Sequence, residues 1–160
     1  LGKSSKGFKQ FLKTLTGGRI TIGALGIGTA QGAFARALAY SQEREAFGKP
    51  IHKFQGVSFK LSDMATQIEA ARHLVYHAAW KKDQGLSVIR EAAMAKLFSS
   101  ETAMMVTTEA IQVLGGYGYI KEYDVERFFR DAKILEIGEG TSEVQRMIIA
   151  RELISSVQSV

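Results

Sequence analysis

Apolar residues recur every three or four positions through most of the chain, a spacing that predicts amphipathic helices. The pattern predicts long helices over 18–45, 57–82 and 87–114, a short helix over 124–131, and a last helix from residue 142. No run alternates apolar and polar residues as a half-buried strand would. The sequence therefore predicts an all-α fold, an antiparallel up-and-down four-helix bundle with a short extra helix.

Glycine, proline and polar residues mark the predicted ends of these helices. Gly48 and Pro50 break the pattern between the first and second helices, and Gly85 ends the second. Ser87 is the predicted N-cap of the third helix. The glycines in "GGYGY", residues 115–119, stop that helix at its C-terminal end.

The first predicted helix is unusually rich in glycine and alanine. Each interior glycine costs roughly 1 kcal/mol relative to alanine, so this helix needs close packing against a neighbour. Residues 20–35 are uncharged and place Gly28 and Gly32 in GxxxG spacing. The run is nevertheless shorter than the roughly 20 apolar residues of a membrane span, and it contains Thr21 and Thr29. We therefore predict a buried bundle helix and no membrane span.

Composition narrows the function classes. The chain has 160 residues, 46% of them hydrophobic, which predicts one domain with its own core. It has no cysteine, which excludes disulfides and thiolate metal sites and fits a reducing compartment. The net charge of +5 is concentrated in Lys3, Lys6, Lys9 and Lys13, which leaves 17 basic residues against 16 acidic ones. Without a basic stripe interleaved with aromatic residues, we predict no nucleic-acid binding.

Two patterns suggest a metal or a nucleotide, and each is incomplete. His73 and His77 have the spacing of zinc ligands, but Leu74 stands where HExxH requires its general-base glutamate. A position on a helix surface or seam explains both histidines, and we predict no metal. The sequence at 26–28 starts like a dinucleotide fingerprint, but Gln31 replaces its third glycine and no strand precedes it.

A glutamate stands between two glycines just before the predicted last helix, in "KILEIGEGTSEVQR". Ser142 and Gln145 have the spacing of a capping box. Gly138 and Gly140 permit backbone angles closed to other residues and let another molecule approach. Glu139 is therefore a candidate acid or base for a group lying over the loop. The alternative is a solvated glutamate favoured by the helix dipole.

Arg44, in "EREAFGK", lies at a predicted helix end. Its planar guanidinium suits a phosphate clamp. The alternative is an arginine that only complements the negative C-terminal end of the helix dipole.

Three stretches, at 44–65, 109–134 and 139–154, carry the motifs R-x-x-F-G, Q-x-x-G-G and E-G-T-S in this order. Together they resemble the C-terminal helical domain of acyl-CoA dehydrogenases, with the look of short-chain and related bacterial members. The likeness runs from about residue 7 to residue 154. In that family a helical domain and a β-domain precede the bundle. The start at Leu1 and the opening "GFKQFLKTLTGGRI" imply that 1–15 is a linker from an absent β-domain and that 16–160 is the bundle domain.

The resemblance also assigns roles to residues. Glu139 matches the catalytic base that removes the α-proton of an acyl-CoA thioester while the β-hydride passes to flavin, giving the trans-2-enoyl-CoA. Arg19 and Gly140 match positions near the substrate. Positions that match FAD contacts, several of them made across a subunit interface, are Arg44, Phe47, Gln55, Gln112, Val113, Gly115, Gly116, Thr141 and Glu143.

Two departures from the family pattern are informative. Gly138 stands where many members have tyrosine, which widens the pocket near the thioester. Gly18 stands where a minority of members carry the base, and a glycine cannot serve as one. Both departures favour Glu139 as the base.

The resemblance implies FAD as cofactor, acyl-CoA as substrate and electron transfer flavoprotein as partner. It also implies a homodimer or homotetramer, with the bacterial cytoplasm favoured over the mitochondrial matrix. The 160-residue chain alone is expected to be inactive, since most of the flavin site is missing. A non-catalytic helical oligomerisation module and an acyl-CoA oxidase-like flavoenzyme are the alternatives.

Overall fold

Six α-helices follow one another along residues 6–157, the part of the chain that the computed structural model describes. Two short strands form an antiparallel hairpin between the first two helices, and a 3-10 turn follows it. The elements are α1 (Gly7–Glu43), β1 (Glu45–Ala46), β2 (Lys49–Pro50), the turn Ile51–Lys53, α2 (Gln55–Asp83), α3 (Ile89–Leu114), α4 (Gly116–Tyr119), α5 (Val125–Ile137) and α6 (Ser142–Val157). The predicted all-α class is confirmed.

Small residues let α1 lie directly on α3. A Cβ atom added to Gly26 would lie 3.0 Å from the carbonyl oxygen of Ser99, and one added to Gly23 would lie 2.9 Å from Val75 Cγ2. The buried alanines of α1 are Ala30, Ala33 and Ala37. The glycine-rich helix is thus stabilised by close packing, as its composition required. Across residues 6–157, no helix combines the length and apolarity needed to cross a membrane.

Side-chain pairs at the two ends of α2 establish its direction. Lys60, near the start of α2, pairs with Glu109 near the end of α3 at 2.5 Å. Lys81, near the end of α2, pairs with Glu91 near the start of α3 at 2.7 Å. The two helices are therefore antiparallel, as the bundle prediction requires.

The helix predicted as a short extra is the fourth helix of the bundle. α5 packs against both α1 and α3, and the Phe128 ring covers Gly32 of α1. Arg36 of α1 bonds to Asp124, immediately before α5, at 3.1 Å. α5 also extends to Ile137, beyond the predicted 131. α6 packs on α3 and carries the last part of the described chain.

The predicted starts of α1 and α3 were also wrong. α1 begins at Gly7 rather than at residue 18, because residues 7–16 are mostly adequate helix formers and the glycine pair at 17–18 does not interrupt the helix. Part of the predicted linker is thus helical, and residues 1–5 lie outside the described chain. Ser87 does not cap α3, since Val88 occupies that position without a side-chain bond.

Candidate active site

Glu139 lies in a tight left-handed turn between α5 and α6. Its φ angle is 56°, and that of Gly140 is 94°. Left-handed angles at non-glycine residues are uncommon and cost of order 1–3 kcal/mol where the surroundings impose them. The turn thus holds a strained glutamate at the junction of two helices.

The start of α6 differs from the predicted capping box by one residue. Thr141, not Ser142, accepts the bond from the backbone N–H of Val144, at 3.4 Å from its Oγ1. Ser142 Oγ is buried and has no hydrogen-bond partner among residues 6–157. Gln145, predicted to cap the helix, instead turns toward the loop that carries Glu139.

Two buried donors converge on the carbonyl groups of this loop. The Nε2 of Gln145 donates to the carbonyl oxygens of Glu139 at 3.2 Å and Gly140 at 2.8 Å. The Nζ of Lys96, from α3, donates to the same Gly140 oxygen at 2.8 Å. Sequence reasoning missed Lys96, whose only signal is a charged residue inside the alanine-rich face of α3.

One carboxylate oxygen of Glu139, Oε2, is buried beside α1. A Cβ atom added to Gly18 would lie 2.8 Å from Glu139 Oε2, so the carboxylate occupies the space beside that glycine. Oε2 has no hydrogen-bond partner within the described chain, and neither has the Nε of buried Arg19. Burial lowers the pKa of Arg19, and the charge of Glu139 opposes this. The fold thus brings Gly18, Arg19 and Glu139 together.

A second group of candidate residues lines a cavity of about 440 Å³ at the far end of α1. Arg44, Val113, Gly115 and Gly116, four of the candidate cofactor contacts, line it. The Arg44 guanidinium lies 5.7 Å from the centroid of the Tyr117 ring, a cation–π arrangement. The cavity combines a cation, an aromatic face and a glycine loop without side chains.

The hairpin beside this cavity presents Phe47 to solvent. Phe47 and Gly48 both have positive φ angles, 51° and 78°, which is typical of a two-residue type I′ turn. The Phe47 side chain is 95% exposed. Gln55 and Gln112 are exposed as well, and neither lines the cavity. An apolar ring held in a strained turn is shaped to contact another molecule.

Thr141 and Glu143, also predicted to bind cofactor, line a different cavity beside Glu139, of about 190 Å³. Arg19 lies about a third of the way along α1, and Arg44 directly follows its last residue. The 25 positions between them correspond to roughly 37 Å at 1.5 Å per residue. The predicted cofactor residues therefore form two clusters at opposite ends of the bundle. We call these the Glu139 end and the Arg44 end.

The two candidate zinc ligands have other surroundings. His73 Nε2 lies 3.4 Å from a carboxylate oxygen of Glu69. The ring of His77 stacks on Trp80, with 6.2 Å between the centroids. Over residues 6–157, no three or more metal-ligating side chains are grouped so that they could hold an ion.

Comparison with known proteins identifies the family of the chain. The family model for the C-terminal domain of acyl-CoA dehydrogenase matches residues 5–154. The chain belongs to the acyl-CoA dehydrogenase family. Probable acyl-CoA dehydrogenase YngJ of Bacillus subtilis is 58% identical to this acyl-CoA dehydrogenase domain over 154 residues, 96% of the domain and 40% of the relative. The resemblance inferred from the motifs is thus confirmed.

Solved structures share the architecture of this acyl-CoA dehydrogenase domain. Butyryl-CoA dehydrogenase from Megasphaera elsdenii is 55% identical, with a TM-score of 0.95 over 96% of this domain and 40% of that chain. A chain in a structure of the electron transferring flavoprotein of Acidaminococcus fermentans is 54% identical, with a TM-score of 0.95, and the coverage is again 96% and 40%. The domain therefore spans about 40% of the length of these relatives.

Proposed function

We propose that this domain supplies the catalytic base of an FAD-dependent acyl-CoA dehydrogenase, and that Glu139 is that base. The observation that carries the proposal is the buried Oε2 of Glu139, which lacks a hydrogen-bond partner within the described chain and lies beside Arg19. Bound flavin would supply the hydride acceptor for the β-carbon of the thioester. Loss of the α-proton and of the β-hydride leaves the trans-2-enoyl-CoA, so atoms and electrons balance.

The surroundings of Glu139 suit proton abstraction. Its unpartnered oxygen is free within the domain to accept the α-proton. A Cβ atom at Gly140 would lie 2.9 Å from Gln145 Nε2, so a glycine there keeps the turn in this conformation.

The Arg44 end fits the phosphate-bearing part of a dinucleotide. Arg44 supplies the charge-assisted donor, and the open backbone at Gly115 and Gly116 permits close approach. The exposed ring of Phe47 offers an apolar contact at the hairpin tip. Thr141 and Glu143 would contact the flavin from the Glu139 end.

The separation of the two ends supports assembly from several copies. The roughly 37 Å between them is longer than an extended flavin dinucleotide, so a single flavin cannot touch both ends of one chain. We propose a homodimer or homotetramer in which the Arg44 end of one subunit completes the flavin site at the neighbour's Glu139 end. Acyl-CoA is the proposed substrate. Electron transfer flavoprotein is the proposed partner, supported by the similar chain in a structure of that protein.

The proposal is tested in the full-length flavoenzyme by following flavin bleaching anaerobically after addition of acyl-CoA. The decisive comparison is wild type against Glu139→Gln. A panel of acyl-CoA chain lengths in the same experiment identifies the preferred substrate.

Gly18→Ala is expected to slow bleaching about tenfold to a hundredfold without lowering stability. The added methyl would lie 2.8 Å from Glu139 Oε2, the mobile end of a side chain, so the carboxylate moves rather than the helix. The matched control is Gly17→Ala, whose methyl would meet only Lys82. Equal rates in the two variants would show that the position of the carboxylate beside Gly18 does not matter.

Arg44→Gln is expected to lower the flavin content of the purified full-length protein severalfold, because glutamine lacks the charged fork that suits a diphosphate. The measurement is the ratio of flavin absorbance to protein absorbance after dialysis. The control is Arg36→Gln, which removes an exposed arginine of α1 that pairs with Asp124, just before α5. Full flavin retention in Arg44→Gln would remove Arg44 from the cofactor site.

A further inference from the structure

Lys96 is a lysine with no exposed surface. Lysine is almost never fully buried unless its charge is paired, because burial of an ammonium group is costly. Within the described chain, no carboxylate lies within ion-pair distance of its Nζ, and its hydrogen bond goes to the carbonyl oxygen of Gly140 at 2.8 Å. Burial accordingly lowers the pKa of Lys96. A fully buried lysine that donates its hydrogen bond to one loop carbonyl calls for a functional explanation.

Charges on four elements face this lysine. Glu136 of α5, Glu143 of α6 and Glu101 of α3 favour its ionised form, whereas Arg19 of α1 opposes it. Lys96 therefore lies where the elements that enclose the Glu139 end meet. Its hydrogen bond links α3 to the turn between α5 and α6.

Gln145 approaches the same carbonyl from α6. Its Nε2 donates to the Gly140 oxygen at 2.8 Å and to the Glu139 oxygen at 3.2 Å. Gln145 has no exposed surface, and its own Oε1 has no partner within the described chain. Leaving the oxygen of a buried amide unpaired costs free energy, so packing alone does not explain why Gln145 donates to two loop carbonyls.

These donors restrain the backbone where it is strained. The direction of a carbonyl fixes the plane of its peptide group, so two donors on the Gly140 oxygen restrain that plane. The adjacent left-handed angle of Glu139 persists only when its surroundings impose it. This backbone conformation sets the direction in which the side chain of Glu139 leaves the turn.

We propose that Lys96 and Gln145 are positioning residues that lock the Glu139–Gly140 turn, and thereby hold the carboxylate of Glu139 in its working position. This rests on the proposed role of Glu139 as the base. Neither residue touches the reacting atoms in the proposal, and both act through the turn. Their removal is expected to slow proton abstraction while leaving substrate and flavin binding intact.

The test uses the full-length holoenzyme with Lys96→Met and Gln145→Met, which keep the side-chain length but remove the donor. Lys81→Met is the matched control, since Lys81 pairs with Glu91 between α2 and α3. Three quantities are measured for each variant: bound flavin per subunit, acyl-CoA affinity, and the bleaching rate per bound flavin. The bleaching rate is repeated with α-deuterated acyl-CoA, because a slower proton abstraction raises the isotope effect at that carbon.

We expect the bleaching rate per bound flavin to fall about tenfold to a hundredfold in Lys96→Met and Gln145→Met, with affinity and flavin content unchanged. The α-deuterium isotope effect rises in both. Because both donors serve one carbonyl, the double variant is expected to lose less than the product of the two single losses. Lys81→Met keeps the wild-type rate.

A wild-type rate per bound flavin in Lys96→Met overturns the proposal, and so does a rate loss without any rise in the isotope effect. If Lys96→Met does not fold, Gln145→Met decides by the same two criteria. Glu139→Gln is measured alongside. If Glu139→Gln bleaches at the wild-type rate, the base assignment itself is overturned. If Glu139→Gln loses bleaching while both Met variants keep the wild-type rate, only the positioning role is overturned.

Discussion

Glu139→Gln is expected to slow anaerobic flavin bleaching by about 10²–10⁴-fold, the usual contribution of a general base. Glutamine has the size of glutamate but cannot accept the α-proton, so the geometry beside Gly18 and Arg19 is kept while the chemistry is removed. The rate is measured by stopped-flow spectroscopy at saturating acyl-CoA, and flavin content is checked in both proteins.

Glu126→Gln is a suitable control for this experiment. Glu126 lies near the other end of α5 and pairs with Arg130 at 2.7 Å. Its substitution also removes one carboxylate from α5 without touching the buried Oε2. Rates that fall equally in both variants would point to a general loss of negative charge and would reject Glu139 as the specific base.

Gly26→Leu is expected to lower the free energy of unfolding of the chain by about 1–3 kcal/mol, the usual cost of overpacking. Even a single added Cβ atom would lie 3.0 Å from the Ser99 carbonyl oxygen and 3.2 Å from its carbon. Those atoms belong to the backbone of α3 and cannot rotate away. The helices must separate, and the loss is large against a total stability of about 5–15 kcal/mol.

Gly28→Leu provides the matched comparison two residues along the same helix. No atom lies within 4 Å of a Cβ atom placed there, and the position is exposed. Leucine should therefore stabilise the helix by roughly 0.5–1 kcal/mol over glycine. Urea denaturation followed by circular dichroism measures both changes. The same sign in both variants would mean that α1 and α3 do not pack through Gly26.

Periodicity was sufficient for the long helices, because α1, α2 and α3 bury residues that recur every three or four positions. It was not sufficient for their starts. In "GTSE", Thr141 and Ser142 carry equivalent hydroxyl groups, so a capping pattern cannot separate two positions one residue apart. The sequence did not predict the hairpin at Phe47 and Gly48, because its two-residue strands are too short to show alternating apolar and polar residues.

The candidate site shows a deeper limit. Glu139 is marked in the sequence by its glycines, whereas Lys96 is hidden, because a charged residue between alanine and leucine is normally assigned to a helix surface. Only the fold shows that position 96 faces a loop whose carbonyl needs a donor. The motif matches also assigned both Arg44 and Thr141 to the flavin, but they did not show that the length of α1 separates these two residues.

Because α1 is one unbroken helix, the number of residues between Arg19 and Arg44 fixes both the distance and the rotation between them. One residue inserted between Arg19 and Arg44 would lengthen the helix by about 1.5 Å and turn everything beyond it by about 100°. Arg44 would then point to a different side of the bundle, and it would no longer match the neighbouring copy in the proposed assembly. Length changes in related chains are therefore expected in the loops between helices, while the number of residues between these two arginines is expected to be fixed.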